Sequence, residues 1–149
     1  MSADFVFTIC GYLVFPGWLL LVFLPKWKWT LSLITTVIAP FIMGIVYVTL
    51  FFSQAGSFPE GGGFGSIAAV SAAFSNPYLL TAGWIHYLAF DLFVGAWEVN
   101  DSQKIGLSHG IVIPCLLVTF IGGPAGLMLY FLLRVIKTKN IQILEPLKA

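Results

Sequence analysis

WIHYLAFDLFVGAW, residues Trp84 to Trp97, sets one carboxylic acid, Asp91, in the middle of an aromatic and apolar run that also holds His86 and continues into Glu98. A run of this kind reads as helix in a bilayer core, which takes about 20 apolar residues to cross. Ionisable groups at that depth are costly to bury, so they mark a functional site before they mark anything else. Asp91 is therefore the residue around which the function is sought.

The rest of the chain agrees with a lipid environment. Of its 149 residues 59% are hydrophobic and 9% charged, and the mean hydropathy is +0.98, whereas a soluble domain carries about a quarter charged residues. Four segments are long enough to span: Phe5 to Leu24, Leu31 to Phe52, Tyr78 to Trp97 and Ile105 to Leu133. The expected fold is all-α, a polytopic helical membrane bundle forming one integral membrane domain over residues 1–149, with four transmembrane helices and the last broken near Gly122-Gly123-Pro124. Asp4 stands where a signal peptide would be positively charged, so the first segment reads as a retained span. A formal charge of +1 leaves no nucleic-acid footprint. Cys10 and Cys115 lie in apolar spans and read as buried, unpaired thiols.

Pro25-Lys26-Trp27-Lys28-Trp29 ends the first span, with proline stopping the helix and lysine and tryptophan suiting the headgroup boundary. Pro40 and Gly44 are expected to kink the second. Ser53 to Pro77 is the one sizeable extramembrane connection, glycine-rich at Gly61 to Gly65, with Ser66 to Phe74 able to form a short interfacial helix. Pro114 and Gly122-Gly123-Pro124 interrupt the fourth segment, and non-helical backbone at membrane depth is tolerated only inside protein or beside a cavity. Gly122 and Gly126 also offer a small-residue contact. With four spans, Lys26, Lys28 and Lys104 fall on one side and Arg134, Lys137, Lys139 and Lys148 on the other, so positive charge nearly balances and orientation stays open.

On a helix, Trp84, Asp91 and Glu98 share a stripe with Tyr87 and Gly95 between them, while His86 lies on another with Phe90, Phe93 and Trp97. Asp91 and Glu98 are about 10 Å apart along the axis, which lets Glu98 reach the interface and keeps Asp91 in the core. A dry site favours the neutral carboxylic acid, a proton donor; the alternative is an Asp91 that pairs with His86, His109, Tyr87 or a helix end and holds the bundle together. Asp101, Lys104 and His109 gather an acid, a cation and a base near one membrane face, suited to a polar end-group or to pairing among themselves. The aromatic stripe suits a flat apolar ligand arriving from lipid, or simple packing. A metal site would have to recruit His86, Asp91 and His109 from separate segments, and no compact histidine pair supports one. No nucleophile elbow supports a hydrolase.

The run GWIHYLAFDLFVGAW (Gly83 to Trp97), with Asp101, Lys104-Ile105-Gly106, His109, PCLLVTF (Pro114 to Phe120) and GPAGL (Gly123 to Leu127), resembles the abscisic-acid-deficient-four-like family. Its plant members are needed for neoxanthin synthesis. The resemblance extends over most of the chain, departing at Lys104, where the family often has arginine, and at Cys10-Gly11-Tyr12, where it has an asparagine. It implies a carotenoid-modifying membrane protein, an isomerase-type enzyme that protonates an epoxide oxygen and removes a polyene proton without a redox cofactor. On that reading Asp91 is the acid and His86 or His109 the base, with Trp84, Tyr87, Trp97, Glu98, Asp101, Lys104, Gly123 and Pro124 holding the substrate.

The partners implied are a carotenoid or other isoprenoid lipid, membrane lipid and no nucleic acid, with a homo-oligomer compatible. The membrane is bacterial or cyanobacterial, or plastid for a processed form. Two readings stand beside it. A metal-dependent carotenoid oxidase would hold iron or another divalent metal on His86, Asp91 and His109. A non-catalytic carotenoid- or lipid-binding protein would assist a partner enzyme.

Overall fold

The computed structural model describes residues 1–143, which leaves Lys148 outside the described residues. Those residues form helices and no strand: α1 Ala3–Phe23, α2 Thr30–Ser53, the short α3 Ile67–Ala73, α4 Pro77–Lys104 and α5 His109–Thr138. By total length and apolar composition alone, all except α3 could cross a membrane.

Local sequence explains where they begin and end. The Asn76 side chain accepts from the amides of Tyr78 and Leu79, and Pro77 stands at the first helical position, where its missing N–H costs nothing. Gly106 adopts a left-handed φ of 66° just past the end of α4, and the Leu107 amide reaches back to the Ser102 carbonyl at 2.9 Å. In α2 the expected distortion at Pro40 takes the form of a wide π-type winding over Leu33–Met43, with ordinary α-helix resuming at Gly44. Proline removes one i→i−4 bond, and the wider turn makes room for its ring. α3 lies within the Ser66 to Phe74 stretch read as a short helix, and the Ser66 side chain caps it by accepting from the Ala69 amide.

α4 is the central helix, packed against α1, α2 and α5. It meets α1 closely because Gly95 leaves room for the Trp18 ring, which a Cβ there would meet at 2.8 Å. The Gln103 side-chain Nε2 donates to the Pro25 carbonyl at 2.8 Å, and the His109 Nε2 lies 2.9 Å from the Val22 carbonyl, so the end of α1, the end of α4 and the start of α5 share one end of the bundle. The Tyr78 hydroxyl donates to the Met1 carbonyl at 3.3 Å, which puts the start of α1 with the 54–76 connection at the other end.

The decisive feature is α5. Gly122 (φ −149°, ψ 49°) and Gly123 (φ 8°, ψ −79°) leave helical geometry, and the chain folds back on itself there. Its first half climbs antiparallel to α4, with Thr119 bonding Glu98 and Ile121 accepting from Tyr87. Its second half descends beside the same helix: Gly123 lies against Asp91, Tyr130 meets Trp97 edge-on with ring centroids 5.5 Å apart, and Arg134 pairs with Asp101. The break expected near Gly122-Gly123-Pro124 is thus the tip of a helical hairpin. Each half is roughly 20 Å long at about 1.5 Å per residue, too short to cross alone.

One expectation is corrected as a result. Arg134, Lys137 and Lys139 do not lie across the membrane from Lys26, Lys28 and Lys104, because the hairpin brings them back to the same end.

Candidate functional site

The hairpin tip meets α4 at the depth of Asp91. Its carboxyl rests on the face of Gly123, where any Cβ would overlap it, and the Tyr87 hydroxyl and the Gly123 amide border it. Tyr87 also donates to the Ile121 carbonyl at 2.9 Å, one of the acceptors released where the helix breaks. Asp91 is 8% exposed, and its Oδ2 is buried without a hydrogen-bond partner.

Two turns along the same stripe, Glu98 is fully buried. Its Oε1 accepts from the Thr119 hydroxyl at 2.9 Å, while its Oε2, like Asp91 Oδ2, is buried without a partner. The sequence led us to expect Glu98 at the interface; the first half of the hairpin instead roofs it over. No described basic side chain pairs with either acid, since the one described ion pair is Arg134 with Asp101 at 2.8 Å. Two carboxyl groups on one stripe, neither paired with a cation, are groups of the kind that serve as proton donor and proton acceptor.

The remaining candidates divide into three places. Trp84 joins Asp91 and Tyr87 at the tip: its ring is 5.5 Å from Phe7 of α1 and 5.2 Å from Tyr87, and it is 40% exposed toward lipid. Pro124 follows the tip and is exposed. This strip of rings, with Ile121 beside it at 78% exposure, forms an exposed apolar surface next to the buried Asp91.

His86 faces the other way. It stacks on Phe90 at 4.4 Å and meets Tyr47 at 5.8 Å, and with Phe51, Phe64, Phe74 and Gly83 it lines a cavity of about 270 Å³ between α2, α3 and α4. His109 sits at the far end, beside a cavity of about 620 Å³ bordered by Lys26, Ser102 and Gln103. The two histidines expected as the base are therefore not brought to Asp91. His86, Asp91 and His109 do not form a metal-ligand set, and among the described residues no three His, Cys, Asp or Glu lie close enough to hold an ion.

The expected head-group cluster of Asp101, Lys104 and His109 does not assemble either. Asp101 is drawn into the hairpin, where Oδ2 accepts from the Tyr130 hydroxyl at 2.6 Å and from Arg134 Nε at 2.8 Å. Lys104 stays exposed. Trp97 packs on Tyr130 and Phe131, each 5.5 Å away, as part of the same lock. Thr119, Tyr130 and Arg134 went unread in the sequence as site residues. The signal was Tyr130 and Arg134 at i, i+4 in an apolar helix, which aims a hydroxyl and a guanidinium at one partner.

Comparison with known proteins adds a family. The model of the ABA DEFICIENT 4-like family matches residues 5–130. The Arabidopsis thaliana protein named "Protein ABA DEFICIENT 4, chloroplastic" is 27% identical over 148 residues, an alignment covering 90% of this chain. The chain spans 62% of the length of that relative. No solved structure matches.

Proposed function

Because the chain belongs to the ABA DEFICIENT 4-like family, we propose that it acts on an oxygenated carotenoid, isomerising an epoxide-bearing end-group by acid and base catalysis at Asp91 and Glu98. The observation that carries this reading is the pair of buried carboxyl groups beneath the hairpin, each with one oxygen free of any hydrogen bond. Buried polar atoms are normally satisfied, so two orphans on one stripe have the form of a site for a ligand oxygen and a ligand proton.

In the reaction, the Asp91 carboxylic acid gives its proton to the epoxide oxygen, and the ring C–O bond opens to a hydroxyl. The Glu98 carboxylate removes the proton from the adjoining polyene carbon, and the electrons of that C–H bond form the new double bond of an allene. Atoms and charge balance with no redox partner. Once the product leaves, loss of the proton from Glu98 to solvent and its regain from solvent by Asp91 restore the starting state. The Trp84 and Tyr87 rings give the polyene a lipid-facing surface on which to lie, and the hairpin keeps bulk water from the reacting end. Glu98 takes the base role in place of His86 or His109 because it shares the stripe and the roof with the acid.

The test is expression in a host that makes epoxy-carotenoids, with chromatography of the pigments. Wild type is expected to yield the allenic isomer. Asp91→Asn and Glu98→Gln each lower it by about 100-fold or more while pigment still co-purifies, and His86→Gln keeps turnover. Turnover retained in Glu98→Gln removes it as the base. A stable coloured complex that never yields an isomer replaces catalysis with non-catalytic carotenoid binding.

A further inference from the structure

Because α5 is a hairpin, the charges of the chain sort by end of the molecule. The chain has seven Lys and Arg. Of these, Lys26 and Lys28 lie in the turn after α1, Lys104 ends α4, and Arg134, Lys137 and Lys139 lie at the end of the returning half of α5. That end is fixed as one surface by three independent ties: Gln103 to Pro25, His109 to Val22, and Arg134 to Asp101. Arg134 is consumed by its buried pair, but Lys26, Lys28, Lys104, Lys137 and Lys139 are all exposed. Trp27 and Trp29 stand among them, 46% and 51% exposed, with the Lys28 ammonium 5.4 Å from the Trp29 ring. At the opposite end the described charged side chains are Asp4 and Glu60, both acidic and both exposed.

A four-span chain with a straight last helix would split these cations and leave no preference. The hairpin puts every described lysine and arginine side chain on one end and none on the other. Segments rich in lysine and arginine resist translocation, so the basic end stays in the compartment from which the chain is inserted. Lysines at headgroup depth between interfacial tryptophans meet anionic lipid there, within the short reach of the surface potential.

We infer that the end bearing Lys26, Lys28, Lys104, Lys137 and Lys139 is a basic surface seated on anionic headgroups of the leaflet facing the compartment of insertion. Asp4 and the Gln54–Asn76 connection face the other compartment. It follows that Ser2 and Asn140 lie on opposite sides of the membrane. This goes beyond the catalytic reading and does not rest on it.

Single-cysteine labelling with a membrane-impermeant maleimide in a bacterial host tests the orientation. Cys10 and Cys115, 1% and 0% exposed, are shielded from reagent. Ser57→Cys is expected to label fully in intact cells, and Ser108→Cys and Asn140→Cys only after permeabilisation, each scored against labelling of the same variant in detergent. Asn140→Cys labelling together with Ser57→Cys overturns the hairpin topology. Protection of Ser57→Cys with labelling of both others overturns the leaflet assignment.

The headgroup contact is read separately, from thermal unfolding in nanodiscs of phosphatidylcholine with and without phosphatidylglycerol. The expected result is a higher Tm with the anionic lipid and loss of the difference in high salt. Equal Tm values in the two lipids overturn the contact. The triple variant Lys26→Gln/Lys28→Gln/Lys104→Gln should shrink the Tm difference and let part of the population label at both ends. An unchanged pattern in that variant removes these lysines as its cause.

Discussion

Asp91 and Gly123 fit each other as a side chain fits a vacancy, and the fit explains why a glycine stands at the tip. With a Cβ at position 123 overlapping the carboxyl, either the acid or the hairpin must move. Gly123→Ala is therefore expected to destabilise by about 1–3 kcal/mol, the range for overpacking, and to lose carotenoid binding. Gly65→Leu in the exposed connection, where a Cβ meets nothing within 4 Å, should leave both near wild type. Thermal unfolding in detergent and pigment titration compare the two, and equal losses would detach the tip from the site. The Asp101, Tyr130 and Arg134 lock is the second residue-scale feature. Removing one partner of a buried pair strands the other, so Arg134→Met is expected to cost about 3–5 kcal/mol. The double change Asp101→Leu/Arg134→Met should recover much of that, as measured by unfolding midpoint. A double variant no better than the single would show that the bridge itself, and not the stranded charge, sets the cost.

At the scale of elements, a helix crossing and a helix break position the site. α1 reaches α4 because Gly95 admits the Trp18 ring, and Trp18 in turn packs edge-on against Phe120 in the first half of the hairpin, with centroids 5.4 Å apart. Gly95→Leu is thus expected to push α1 away and loosen the roof over Glu98, because Phe120 adjoins Thr119, whose hydroxyl bonds Glu98. Trp18→Ala in the same chain should relieve the clash and restore part of the pigment binding. Failure of that rescue would mean that Gly95 serves something other than the α1 contact. Within the hairpin, Gly126 plays the corresponding part: a Cβ there would overlap Thr119, so the two halves pack at backbone distance. The small-residue contact read from Gly122 and Gly126 is real at Gly126 and internal to α5, while a Cβ at Gly122 meets nothing within 4 Å.

For the whole molecule, the consequence is a membrane protein whose acids lie in a protein-covered stripe and whose aromatic face lies toward lipid. The reaction proposed needs only side-chain acid and base, and the His, Cys, Asp and Glu of the described residues are dispersed too widely to gather three around an ion. Chelator treatment of the purified protein should accordingly leave isomerisation unchanged. Loss of turnover on chelation with recovery on added iron would reverse the assignment in favour of an oxidase.

The membrane class, the four long helices and the position of the break were all legible in the residues, because hydropathy, proline and glycine act locally and need no knowledge of neighbours. The partners of the acid were not. Helical phase groups Asp91 with Glu98 and separates both from His86, yet it does not reveal what covers each face. Whether Glu98 reached water, and whether Arg134 lay across the membrane from Asp101 or beside it, depended on the direction α5 takes after Gly123. A Gly-Gly-Pro break permits a kink or a full reversal alike, since glycine removes the steric cost of either. Contacts far apart in the chain made the choice: Thr119 with Glu98, Tyr130 and Arg134 with Asp101, and the bare face of Gly123 against Asp91.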